Sequence, residues 1–155
     1  MLRNGTVIWR DGVGGLHRLR PDSREIDRFE GQRAIASPQR MIESSDLLWS
    51  KADQNTIRCV ESDTLTVLGE FKFLPSIIDI DSAGDGSIFA LVVDSNDTRI
   101  VTIDRTGRAV DTASLDKIID PKALVFLRES DRFVTLSGGP HHQLQWYKTL
   151  SLIHI

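Results

Sequence analysis

Cysteine is almost absent: Cys59 stands alone in 155 residues. One thiol excludes an internal disulfide framework and a zinc site built from cysteine pairs. Aromatic residues make up only 6% of the chain, and there are 5 prolines and 11 glycines. Collagen-like repeats and wholesale disorder are therefore excluded. Positive charge is not in excess either, with 19 Lys and Arg against 22 Asp and Glu and a net charge of −3. That balance argues against a basic nucleic-acid surface. Long apolar runs are missing. The stretch from Ser87 to Val93 is among the longest, far short of the roughly 20 residues that cross a bilayer as a helix. No basic start with an apolar core follows Met1, so no secretory signal is expected in the chain as given.

What is present is a repeat. Short apolar segments recur at Leu16-His17-Arg18-Leu19, Ile57-Arg58-Cys59-Val60, Ile100-Val101-Thr102-Ile103 and Leu144-Gln145-Trp146-Tyr147. Their first residues are separated by 41, 43 and 44 positions. Turn-forming residues follow: Arg20-Pro21-Asp22-Ser23, Glu61-Ser62-Asp63-Thr64, Asp104-Arg105-Thr106-Gly107 and, less clearly, Lys148-Thr149. A preceding strand runs through Trp9, Trp49, Val92 and Leu136, 7, 8, 8 and 8 residues before the anchors. On that spacing Trp9 and Trp49 hold equivalent places and pack between repeats. β-branched residues and alternation dominate, with no sustained helical period. A unit of a little over forty residues holding about four strands has the dimensions of a β-propeller blade.

The third repeat reads most clearly, with strands at Ile77–Ile80, Ile88–Val93, Arg99–Ile103 and Ala109–Thr112 and a turn over Asp81–Gly86. The fourth repeats the scheme at Ala123–Phe126 and Phe133–Leu136. For the second repeat, Arg33–Ala36 is taken as the first strand. The expectation is an all-β fold: a partial β-propeller of about four antiparallel four-stranded blades, the first lacking its inner strand. The blades fall at about 1–30, 31–73, 74–115 and 116–149.

Pro75, Ile77-Ile78-Asp79, Gly86, Ile88-Phe89, Asp94, Asn96, Arg99-Ile100, Ile103-Asp104 and Gly107 together resemble an NHL-type propeller repeat. Pro121–Leu136 resembles the opening half of another, while Ile57–Val67 is more similar to quinoprotein or lactonase-like propellers. The resemblance covers roughly half of the chain. It departs from the NHL pattern in the long strand from Ile88 to Asp94 and in the missing asparagine-arginine element of the first and fourth repeats. The Gly-His pair and Trp-Asp strand end of WD40 repeats are absent.

Both ends read as cut. Only five residues precede the first strand at Thr6. Leu150–Ile155 is what translation of the transposase mosaic end used in sequencing libraries gives, so residues 150–155 are expected to be a non-native tail; a genuine outer strand is the alternative. An open arc would expose the flanks of its end blades and should self-associate.

No nucleophile elbow or phosphate-cradling loop occurs; Gly12–Gly15 joins two strands with no helix after it. Asn4 and Asn96 match the glycosylation sequon, which means little without evidence of secretion. Asp79–Gly86 hints at a calcium loop, but Ala83 and Ala90 fall where oxygen ligands belong, and a turn explains the same residues. The loops after each second strand carry Asp53, Asp94, Asp97, His141 and His142. Asp53, Asp94, His141 and His142 are the candidate ligand-binding residues, each weighed against an ordinary solvated turn. Cys59 reads as a buried filler. No catalytic residues, metal site or cofactor are assigned. The function expected is a non-catalytic platform for a protein or small-molecule ligand, with no nucleic-acid partner and no membrane span, completed by the remaining blades of a parent chain. The alternative is a fragment of a lactonase-like, lyase-like or quinoprotein-type propeller enzyme with its site on the central axis. An extracytoplasmic sensor or surface protein is a third, weaker reading.

Overall fold

The computed structural model describes residues 5–10, 16–23, 26–29, 40–95, 97–115, 118–139 and 142–148. Four antiparallel sheets follow one another along the chain. The first has the order β1 (Val7–Arg10), β2 (Leu16–Leu19), β3 (Ile26–Phe29). The second holds β4 (Met41–Ser44), β5 (Leu47–Lys51), β6 (Thr56–Glu61) and β7 (Val67–Lys72). The third holds β8 (Ser76–Ser82), β9 (Ile88–Asp94), β10 (Asp97–Ile103) and β11 (Ala109–Leu115). The fourth holds β12 (Pro121–Leu127), β13 (Arg132–Ser137) and β14 (Gln143–Lys148). Each strand pairs with its sequence neighbour, so every sheet is a meander. A single 3-10 turn, Arg128–Ser130, is the one helical element among the described residues.

The sheets stack face to face because their middle strands are apolar on both sides. In β5, Leu47 and Trp49 join a core shared with the third sheet, while Leu48 joins one that includes Ile8 of the first. In β9, Ile88, Ala90 and Val92 face the second sheet, whereas Phe89 and Leu91 pack with Leu124, Phe126 and Phe133 of the fourth. Strand alternation assigns the two sets to opposite faces. A strand buried on both sides must be apolar throughout, which is why Ile88–Val93 forms a continuous run. Among the described residues the interior sheets are thus covered by their neighbours, as in a partial β-propeller.

Hydrogen bonds clip each sheet to the next. The buried Ser44 hydroxyl donates to Ser87 O at 2.6 Å and accepts from the N–H groups of Gly84 and Gly86 at 3.1 and 3.2 Å. The Trp49 indole donates to Gly86 O at 3.1 Å. Arg105 pairs with Asp46 across the same junction at 2.9 Å. Between the first two sheets, Arg18 donates to Asp63 O. A T-shaped contact of Phe89 with Phe133, centroids 4.7 Å apart, joins the third sheet to the fourth.

Among the described residues, each end sheet keeps one face that no other sheet covers. On the fourth, Val125, Leu144 and Trp146 are 40%, 62% and 57% exposed. Register aligns Val125 with Val134 and Val134 with Trp146, and aligns Leu136 with Leu144, so these residues form one apolar surface. On the first, Trp9 is 37% exposed and stacks on His17 with centroids 5.2 Å apart.

Three expectations need correction or placement. The first strand of the second sheet is Met41–Ser44, paired from Met41↔Ser50 to Ser44↔Leu47; Arg33–Ala36 lies outside the described residues. The tight turn after Ser44, with Ser45 at φ 57°, fixes this register. Trp9 and Trp49 do not hold equivalent places. Trp9 lies opposite His17, on the face away from the second sheet, while Trp49 lies in the core against the third. The cause is loop length: Leu16, Ile57, Ile100 and Leu144 pair with Arg10, Lys51, Leu91 and Leu136. Counting back seven or eight residues therefore reaches opposite faces in different sheets, because a one-residue shift flips every side chain. The expected tail, residues 150–155, also lies outside the described residues.

Candidate functional site

The first strands of the second, third and fourth sheets, β4, β8 and β12, run side by side as the inner edge of the arc. There Arg40, just ahead of β4, reaches across two junctions. Its Nη1 donates to Asp79 Oδ2 on β8 and to Leu124 O on β12, both at 2.8 Å, and its Nη2 donates to Asp81 Oδ1 at 3.3 Å. The same two carboxylates accept backbone N–H groups of the next sheet. Leu124 N–H donates to Asp79 Oδ2 at 2.8 Å, and Phe126 N–H to Asp81 Oδ2 at 2.7 Å. An inner strand has one edge with no partner strand, so its outward N–H groups need acceptors. Asp79 and Asp81 supply them.

A bulge aims these carboxylates. β8 pairs Ile77 with Val92 but Asp79 with Leu91, leaving Ile78 as the extra residue. Ile77 and Ile80 therefore both face the second sheet although they are three residues apart, and Asp79 and Asp81 turn to the fourth. Beside them the Lys51 ammonium donates to Ile77 O at 2.8 Å and Ile78 O at 3.3 Å. Lys122, second residue of β12, pairs with Asp120 at 2.6 Å. Arg40, Lys51, Ile78, Asp79, Ile80 and Lys122 line an open hollow of about 400 Å³. Other hollows lie at Arg18 and Asp63, about 300 Å³, and along Phe126–Ser130, about 530 Å³. Neither gathers charges from three sheets as this one does.

The residues singled out in sequence lie apart from that cavity's lining. Asp53 makes a local turn, its carboxylate accepting Asn55 N–H at 2.8 Å and the Thr56 hydroxyl at 3.0 Å. These bonds hold its carboxyl below the usual carboxylate range. Asp94 pairs with Arg99 at 3.2 Å, and Asp97 pairs with the same arginine at 3.1 Å. His142 is exposed and His141 lies outside the described residues. Strand register sets the loops carrying Asp53, Asp94 and His142 at the same end of the sheets as the cavity. They remain separate, and no group of three or more metal-ligating side chains occurs among the described residues. Asp85, in the sequence considered for calcium, accepts the Ser87 N–H at 3.0 Å and the Ser87 hydroxyl, which lower its pKa. Cys59 is fully buried, and burial pushes its thiol up to about 11, so it is inert as a nucleophile at neutral pH.

Sequence reasoning missed Arg40, Lys51 and Lys122 as site residues. One signal was visible: Asp79 and Asp81 interrupt an otherwise apolar strand at alternate positions. Carboxylates so placed mark a face with something to satisfy.

No family model and no curated protein matches the chain. Solved structures do. BamB from Moraxella catarrhalis superposes with a TM-score of 0.68 at 12% identity, over 94% of this chain and 41% of its own. Hsv2 from K. marxianus gives 0.55 at 12% identity, over 94% of this chain and 58% of its own. The extracellular domain of the hybrid two-component system BT4673 from B. thetaiotaomicron gives 0.53 at 14% identity, over 90% of this chain and 20% of its own. The chain thus spans less than two thirds of each. At such identities the likeness is one of fold, and the fold is a partial β-propeller.

Proposed function

We propose that the chain is part of a non-catalytic β-propeller platform that binds a protein or a small ligand, its two open faces covered by further blades of the same kind. One observation carries this: the two carboxylates that converge at the inner edge, Asp79 and Asp81, are committed to holding sheets together. A propeller enzyme needs free acids or bases near its axis. Here Asp79 and Asp81 each accept a backbone N–H and an arginine hydrogen bond from a neighbouring sheet. The apolar faces bearing Trp9 on one end sheet and Trp146 on the other match in character the faces that the interior sheets bury, which supports blades as their cover.

The test compares Asp79→Asn and Asp81→Asn with the parent in urea unfolding. Structural carboxylates predict a loss of about 1–2 kcal/mol for each, since an amide cannot serve both partners as an anion does. Residues kept for catalysis tend to be held at the expense of stability. Variants as stable as the parent or more so would favour the enzyme fragment instead.

A further inference from the structure

We infer that the cavity at the inner edge is a binding site for a small organic oxyanion, a carboxylate or phosphate ester on a short carbon body. This rests on the platform proposed above and names the chemistry of its ligand. The lining holds three cations, Arg40, Lys51 and Lys122, and one carboxylate, Asp79; Asp81 beside Arg40 and Asp120 beside Lys122 offset two of the charges, and Lys51 is the cation with no carboxylate of its own among the described residues. Asp79 is turned to its structural work, with Oδ2 taken by Leu124 N–H and Arg40.

The cations have donors to offer. A guanidinium carries five N–H donors and an ammonium three. Arg40 uses three, on Asp79, Leu124 O and Asp81, leaving two. Lys51 uses two, both on neutral carbonyls, leaving one and leaving its charge without a carboxylate partner among the described residues. Lys122 uses one on Asp120, leaving two. Arg40 and Lys51 stand at the same end of the second sheet and Lys122 on the fourth, so strand backbone and not one loop fixes their spacing. Arg40 is further fixed by its two carboxylates, which costs a ligand little ordering. The half-buried Ile78 supplies apolar wall. A hollow of about 400 Å³ is in the range of small-molecule sites and larger than a bare phosphate fills. An acidic head with a short carbon body matches both features.

Calorimetric titration of the whole chain with succinate and with glycerol 3-phosphate tests this, with inorganic phosphate and choline chloride alongside. Saturable binding of succinate or glycerol 3-phosphate is expected, weakened by salt and about tenfold weaker in Lys51→Met and in Lys122→Ala. Which of the two binds tells carboxylate from phosphate ester. Lys122 is half exposed, so Lys122→Ala keeps the test open if Lys51→Met does not fold. Absence of saturation by both organic anions up to about 10 mM overturns the proposal. So does binding that both variants leave unchanged, or choline binding as well as the anions. Reading the Asp79→Asn and Asp81→Asn stabilities beside the titrations separates the two failures. Destabilised variants without oxyanion binding would sink this site and leave the platform in place.

Discussion

Ser44 and Ser50 are both buried serines in the second sheet, 0% and 2% exposed, and truncating each to alanine removes the same atom. The consequences should differ in sign. Ser44 Oγ makes three hydrogen bonds into the turn before β9. Ser44→Ala leaves Ser87 O and the N–H groups of Gly84 and Gly86 without that partner. A net contribution of about 1 kcal/mol per bond, with a further penalty for groups left buried and unpaired, gives a loss of about 3 kcal/mol. Ser50 Oγ has no hydrogen-bond partner among the described residues. Its removal relieves a desolvated hydroxyl, so Ser50→Ala should be neutral or stabilising by about 1 kcal/mol. Urea unfolding of both variants at unchanged slope reads the difference directly. In thermal unfolding the Ser44 variant should melt about 6–12 °C lower. Equal losses in the two variants would refute the claim that specific hydrogen bonds clip sheet to sheet.

Gly107 combines φ +79° with a position where an added Cβ would meet the Phe71 ring of the neighbouring sheet; Gly107→Ala should lower stability by about 1–3 kcal/mol in the same assay. The pH dependence has opposite signs at its two ends. Cys59, raised to about 11, favours the folded state while the thiol is protonated, so its contribution is full at neutral pH and is lost as pH rises from the ordinary thiol range toward 11. Native-state thiol labelling at pH 8 should accordingly run no faster than unfolding. Asp85, lowered by its bonds to Ser87, stabilises above the ordinary carboxylate range, and that contribution is lost as pH falls through its depressed value; a pH series of unfolding midpoints reads both limbs. On the open face of the fourth sheet, Leu144→Lys with Trp146→Lys should reduce concentration-dependent association in sedimentation velocity with little change in stability; unaltered association would mean that another surface carries it.

The repeat was legible because anchor residues buried between sheets must recur once per blade, and Ile57 and Ile100 do face the next sheet as that logic requires. Facing was less legible in the preceding strands. Hairpin loops differ in length between sheets, so a constant count back from the anchor lands on Trp49 at one face and on Val92 at the other. The first strand of the second sheet was misplaced because Met41–Ser44 is short and half polar, and its Ser44 works through hydrogen bonds invisible to a hydrophobic pattern. The inner-edge cavity was hidden for a related reason. Arg40 and Lys51 flank the hairpin of β4 and β5, but Lys122 is distant in the chain and joins them only where the sheets converge. Asp53 and Asp94 drew notice as repeated loop acids, whereas the structure occupies them locally with Asn55, Thr56 and Arg99.

The central claim is that sheets stack in chain order, each covered by its sequence neighbours. Nuclear Overhauser contacts in the folded chain test it most directly. The account predicts cross-peaks from the Trp49 indole N–H to Gly86, hydrogen-bonded at 3.1 Å, and from the Phe89 ring to those of Phe126 and Phe133, 4.8 and 4.7 Å away. No peak should join Trp49 to Phe133, because the third sheet stands between them. A Trp49 to Phe133 contact, or the absence of both predicted sets in a folded sample, would contradict the stacking.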